Sequence, residues 1–206
     1  MNERWHVLSL DTVDPIAVAG VNWKPLRRPL GLTAFGLNAY VGNAGEHVVE
    51  RHTEESLGHE EVYVVVAGHA TFTLDDDTLD APSGSVVFVS DPSVRREAHA
   101  TVDGTIVLAI GGKPGEAYSP SAWETYFAVE RYRPTMDTAA AIAELEAALE
   151  EHPEHAGVIY SLGCWHALAG HDDEALVLVR RAIELDPRNA EWASNDDDLA
   201  SIRDRL

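Results

Sequence analysis

The sequence predicts a mainly β fold, a sandwich or barrel, followed by a small α-helical domain. Three observations predict it. Short β-branched or alternating runs separated by turn residues fill the first 112 residues. After Pro134 the chain is rich in Ala, Leu, Ile and Glu, with apolar residues spaced by three and four. Charge divides in the same way: residues 136–206 carry 16 acids against 5 bases, whereas the first 135 carry 19 against 10. A length of 206 residues allows two small domains. We expect a barrel over 1–115, a linker or strap over 116–135 and a helical domain over 136–206.

The β elements follow in order. Thr33 to Val41 is rich in aromatic and small apolar residues, and His47 to His52 follows a Gly-Asn-Ala-Gly turn. Glu61 to Val66 is a β-branched run. Gly68-His69 leads into ATFTLDDD, whose period-two alternation marks a half-buried strand and whose Asp75-Asp76-Asp77 marks a hairpin tip. Pro82-Ser83-Gly84 turns into SVVFVS, and Asp91-Pro92-Ser93 turns again before Val94 to Ala100 and Thr105 to Ile110. Strands at such short intervals with turns between them are the signature of a sandwich or barrel. Gly111 to Ser121 reads as a linker. Ser121 to Thr135, with Trp123, Tyr126 and Phe127, is either a short helix or a strap on the barrel.

Helices are expected over Thr138–Glu151, Glu154–Ala169 and from Asp172 to Leu185, stopped by Pro153, Gly170 and Pro187. Asp172, Asp173 and Glu174 suit the positive end of the third helix dipole. ALEEHP at 148–153 returns as AIELDP at 182–187, an offset of 34, and Ala141 and Leu145 match Ala175 and Val179. A helix pair repeating at this period resembles the tetratricopeptide repeat. Small residues at Gly163, Ala175 and Ala182 would let helices interlock. After Pro187 the pattern fails, because Asn195-Asp196-Asp197-Asp198 stands where an apolar face belongs. One and a half repeats cover their apolar faces poorly, so residues 136–206 are not expected to fold alone. The segment either caps a neighbour or binds a protein partner.

Composition narrows function. Apolar residues at 45% suffice for a core and exclude a disordered chain. A net charge of −20 argues against nucleic acid and against an anionic membrane surface. No apolar run is long enough to span a bilayer. The N-terminus has Glu3 and Asp11 and no apolar core of a signal peptide. A single cysteine, Cys164, excludes an internal disulfide, and a cytoplasmic location is expected. Cys164, beside Leu162 and Trp165, reads as a buried structural thiol.

Two stretches carry chemistry. In the first, Gly45 precedes a strand ending at His52, His52-Thr53-Glu54 follows, and Glu61 lies seven residues before Gly68. The second is GSVVFVSDPSVRREAH, from Gly84 to His99. Over about residues 30 to 112 these motifs resemble those of the cupin superfamily. The resemblance implies a double-sheet jelly-roll barrel, often metal-binding, that commonly forms a homodimer through open sheet edges. The chain departs from the pattern at two places: Glu54 stands at the second position of His-x-His, and Glu97 where the final His belongs. Side-chain parity on strands places His52, His59 and Glu61 inside the barrel, with His99 or Glu97 opposite. His52, His59, Glu61 and His99 would then ligate a divalent first-row metal, since imidazole with carboxylate suits such ions. Tyr63 and Glu97 are the candidate catalytic acid or base. The plainer alternatives are surface roles for His47, His69 and His99, and an ion pair of Glu61 with Arg51 or Arg95.

Three functions remain open from the sequence. One is a metal-dependent isomerase, lyase or oxygenase acting on a small polar molecule, the activity the resemblance implies. Another is a non-catalytic small-molecule-binding or sensing barrel whose helices contact a protein. The third is an inert scaffold. Fold class alone does not choose among them.

Overall fold

The computed structural model describes residues 6–206, so the reading of the extreme N-terminus falls partly on residues 1–5, outside the described residues. The chain divides into two compact units, one ending at Pro120 and one beginning at Ser121.

The first unit is a nearly closed, barrel-shaped sheet. Its strands are β1 (Ile16–Val18), β2 (Val21–Pro25), β3 (Gly36–Gly42), β4 (His47–His52), β5 (Glu60–Ala67), β6 (His69–Leu74), β7 (Asp77–Pro82), β8 (Val86–Val89), β9 (Arg96–Ala100) and β10 (Thr105–Gly112). A one-turn helix α1 (Arg27–Leu30) lies between β2 and β3. The strand order is β7-β6-β9-β4-β2-β3-β10-β5-β8, with β1 paired to β2. All pairs are antiparallel except β2 with β4. Strands β1 and β2 precede the stretch where alternation is legible, because three and five residues are too few to show a period.

Alternation sorts the side chains. On β5, Tyr63 and Val65 are buried, as are Phe72 on β6, Ala98 on β9 and Val107 on β10. Trp23 is fully enclosed, and its indole N–H donates to Asn38 Oδ1 at 2.8 Å, satisfying a polar group that burial would otherwise penalise. Gly68 turns the chain from β5 to β6 at φ +72°, and a Cβ there would lie 2.6 Å from the Thr105 Cα. Glycine is therefore required twice over, by backbone conformation and by space.

The second unit is helical: α2 (Trp123–Ala128) continues as a 3₁₀ segment (Val129–Thr135), then α3 (Thr138–Glu151), α4 (Ala156–Leu168), α5 (Asp172–Leu185) and α6 (Asn189–Asn195). Asp137 caps α3 by accepting from the Ala140 N–H at 3.1 Å. Helices α3 and α5 span the residues that periodicity and the flanking prolines indicate. A Cβ on Gly163 would meet Val179 Cγ2 at 2.7 Å, so the glycine lets α4 and α5 approach closely. The 121–135 segment is helical and belongs to this unit's core, where Ala122 and Val129 are buried with Ala141, Leu145, Val158, Leu162 and Trp165.

The acidic run after α6 has a structural use. Asp196 accepts from the Tyr160 hydroxyl at 2.9 Å and lies 3.6 Å from Cys164 Sγ. Asp198 takes a two-pronged bond from Arg133 at 2.7 and 2.8 Å. The Arg133 guanidinium also stacks over Trp165 at 5.0 Å. Leu199 and Ile202 close the apolar cluster beside these contacts. Burial and the Asp196 carboxylate hold the Cys164 thiol well above its usual range, so it is an inert thiol.

Candidate functional site

The site forms where the end of β4, the loop after it, the start of β5 and the start of β9 meet. His52 ends β4 and pairs in register with Arg96 on β9. The loop is held by its backbone: the Glu54 N–H donates to the Pro92 carbonyl at 2.9 Å, and the Glu54 carbonyl accepts from Leu57 and Gly58 at 3.0 and 2.7 Å. Gly58, at φ +69°, then delivers His59 to the foot of β5. Glu61 and Tyr63 share one face of β5.

Around Glu61 the contacts are dense. Its Oε2 accepts from the Tyr63 hydroxyl and from Arg96 Nη1, the latter at 2.9 Å, and lies 3.6 Å from His52 Nε2. Its Oε1 has no partner among the described residues. Glu54 Oε1 lies 3.5 Å from His52 Nε2, and Glu54 Oε2 lies 3.1 Å from His59 Nδ1. That second approach is not aligned as a hydrogen bond, so Glu54 Oε2 is a buried acceptor without a donor, as is Glu50 Oε2. Donor atoms of His52, Glu54 and Glu61 all lie within 4.8 Å of one another.

Electrostatics follow from burial and proximity. Burial opposes a charged His52, but hydrogen bonding to Glu61 and the fields of Glu50 and Glu61 prevail and raise it to about 9. Burial likewise pushes Glu61 up, and His52, Tyr63 and Arg96 together bring it below the usual carboxylate value. Glu50 is raised by burial, with His52 as a partial offset. Burial and the Glu61 carboxylate push the Tyr63 phenol well up, so it serves as a hydrogen-bond donor and is not ionised.

The structure thus brings together His52, Glu61 and Tyr63, and places His59 against Glu54. It does not bring Glu97 and His99 to them. On β9 the buried residues are Arg96, Ala98 and Ala100, so Glu97 and His99 lie on the other face. There His99 pairs in register with His47, their rings 3.8 Å apart, and Glu97 stands with them. The reading of His99 or Glu97 as the inward residue fails by one position. Strand β9 pairs with β6 residue for residue, so its own alternation sorts the faces, and the motif alone does not fix which of its residues point inward. The expected pairing of Glu61 with Arg51 or Arg95 is likewise replaced by a pair with Arg96.

Two site residues lie outside the expected set. Glu54 occupies the second position of the His-x-His pattern, a signal readable by treating a carboxylate as a substitute ligand. Arg96 is wholly buried and also donates to the carbonyls of Asp91, Pro92 and Val94, at 3.2, 3.1 and 2.7 Å from Nη2. An Arg-Arg-Glu triplet gives no sign of which arginine turns inward.

Comparison with known proteins adds the following. A tetratricopeptide-repeat family model matches residues 137–194. No curated protein matches the chain. Among solved structures, the chain is similar to a cupin protein from Bacteroides fragilis, at 20% identity and a TM-score of 0.45, over 58% of this chain and 92% of that one. It is also similar to a cupin conserved-barrel protein from Salinispora arenicola, at 16% identity and 0.45, over 54% and 92%. A third similar structure is a sugar phosphate isomerase of the cupin superfamily from Silicibacter pomeroyi, at 17% identity and 0.43, over 52% and 76%.

Proposed function

We propose that the barrel is a metal-dependent enzyme domain acting on a small polar molecule, with His52, Glu54 and Glu61 as metal donors and His59 beside them. The observation that carries this reading is the convergence of donor atoms of His52, Glu54 and Glu61 within 4.8 Å of one another, where the second oxygen of Glu54 is buried and lacks a hydrogen-bond donor. Orphaned buried carboxylate oxygens are costly, and a cation satisfies them. The donor set fits a divalent first-row ion: one or two imidazoles, two carboxylates, and an Oε1 of Glu61 left open while Oε2 is taken by Tyr63 and Arg96. A metal held there would supply Lewis-acid chemistry, polarising a carbonyl or activating water. The chain's own groups do the rest. Arg96 and Tyr63 fix the Glu61 carboxylate in one orientation, as groups around a ligand do. Tyr63 keeps its proton on a phenol aimed at Glu61.

Metal analysis of protein purified without a histidine tag tests this. Near-stoichiometric metal is expected in the native chain. His52→Ala should remove most of it, because losing one donor of three or four collapses such a site. Glu54→Gln and Glu61→Gln should each weaken it, an amide being a poorer ligand than a carboxylate. Equal metal content in all four proteins overturns the donor set. One observation favours the second reading, a metal-free binding barrel: the Arg96–Glu61 ion pair already places a cation against one ligand.

We also propose that two copies pair through β8. This strand ends the sheet and leaves Val86 and Phe88 at 63% and 58% exposure beside an unpaired backbone edge. Light scattering should give twice the 22.4 kDa chain mass, and Val86→Lys with Phe88→Lys should halve it.

A further inference from the structure

The chain carries 35 acids against 15 bases, and most of its arginines are consumed by partners. Arg96 binds Glu61, Arg133 binds Glu130 and Asp198, Arg188 binds Asp186, and Arg205 binds Asp173. Among the described residues, Arg51 and Arg95 are the arginines whose side chains have neither an ion pair nor a hydrogen bond. Both are exposed, and both border the same open pocket of about 630 Å³. Its lining is Arg51, His52, Thr53 and Arg95. Arg51 and Thr53 flank His52 in sequence, and Arg95 immediately precedes the Arg96 that pairs with His52 across the strands.

The placement sets a basic rim on an acidic molecule. A surface at −20 repels small anions in general, so an anion needs local positive charge to dwell there. Two guanidinium groups without internal partners offer forked donors matched to carboxylate or phosphate oxygens. Thr53 adds a hydroxyl and His52 an imidazole on the same lining. No carboxylate lines the pocket, although Glu50, Glu54 and Glu61 all act on His52, which does.

We infer that this pocket binds the oxyanion group of a small molecule, a carboxylate or a phosphate monoester, and holds it at the mouth of the His52–Glu54–Glu61 group. The inference rests on reading that group as the barrel's functional site and names the class of its substrate. Arg51 and Arg95 are positioning residues for the anionic end, and the remainder of the molecule reaches inward past His52.

Calorimetric titration of the full chain with inorganic phosphate and with malonate, at matched ionic strength in chloride, tests it. Binding of either probe is expected, weakened about tenfold or more in Arg51→Ala/Arg95→Ala and only partly kept in Arg51→Lys/Arg95→Lys, which retains the charge without the fork. Both arginines are exposed, so the variants should melt as the native chain does. Phosphate alone assigns a phosphate ester, malonate alone a carboxylate, and both together the shared oxyanion chemistry. Equal titration of the native chain and the Ala variant overturns the inference. So does a lowered light-scattering mass in the Ala variant without anion binding by the native chain, which would make the rim a contact between copies. The two readings fail separately. Phosphate binding by a chain that holds no metal removes the metal assignment and leaves this one, whereas metal without anion binding does the reverse.

Discussion

Arg96 shows how much one side chain organises. It neutralises Glu61 and ties down three carbonyls of the turn before β9. Truncation takes a buried cation from Glu61, leaving it Tyr63 and His52, and removes the side-chain donor of those carbonyls. Arg96→Ala should therefore destabilise the barrel by about 3–5 kcal/mol. Arg96→Lys restores charge but cannot serve Glu61 and the turn together, so it should recover only part. Urea denaturation checks both, and an Arg96→Ala midpoint equal to that of the native chain would refute the assignment. At this scale the sequence was half legible. Glu61 and Tyr63 lie on β5, where alternation by two decides direction, and His52 is marked by the motif that ends β4. Glu54 is legible only as a carboxylate standing at a ligand position of the motif, and Arg96 is not legible. It follows another arginine on a strand that pairs regularly with β6, and no turn or motif residue tells which member of the Arg95-Arg96-Glu97 run starts the inward face.

Elements are more legible than residues, because capping and turn chemistry are local. Pro153, Gly170 and Pro187 mark the helix ends where the structure has them. The β5–β6 turn depends on Gly68, where any side chain would need a left-handed backbone and would strike Thr105. Gly68→Ala should cost about 2–4 kcal/mol, seen as an early melting transition of the barrel. The start of α4 gives a pH dependence. His155 caps this helix by accepting at Nδ1 from the Val158 N–H at 3.4 Å, which requires the neutral ring. Burial, then His152, lowers its affinity for a proton below the usual value of 6.5. The folded chain thus holds fewer protons than the unfolded one. The stability this adds is complete above about pH 6.5 and is lost as pH falls through the lowered folded value. His155→Asn keeps a capping oxygen that does not titrate. Its melting temperature should fall less than that of the native chain between about pH 7.5 and about pH 5. Equal drops would exclude the cap as the source.

At the scale of the whole molecule, the sequence marked the change from β to α near Pro134, yet the compact units part at Pro120. The difference is one of packing rather than pattern. Residues 121–135 have no clear repeat, but Ala122, Val129 and the flanking Tyr126 and Tyr132 complete the apolar cluster around Leu145 and Trp165. Arg133, from the same segment, joins Asp198 and covers Trp165. The one and a half repeats are therefore closed at one end by α2 with its 3₁₀ extension, and at the other by Leu199 and Ile202. Such caps are what short repeat arrays require. The position of a cut then decides whether the helical part folds. Residues 121–206 should show a cooperative thermal transition as a monomer, whereas residues 136–206 should not, since they lose the capping segment and leave Leu145 and Trp165 open to water. Residues 1–120 should fold without the helices, because the strands bury Trp23, Val65, Phe72 and Val107 among themselves. Calorimetry of the three fragments settles the matter. A cooperative transition in 136–206 equal to that in 121–206 would show that the segment before Pro134 is only a connector.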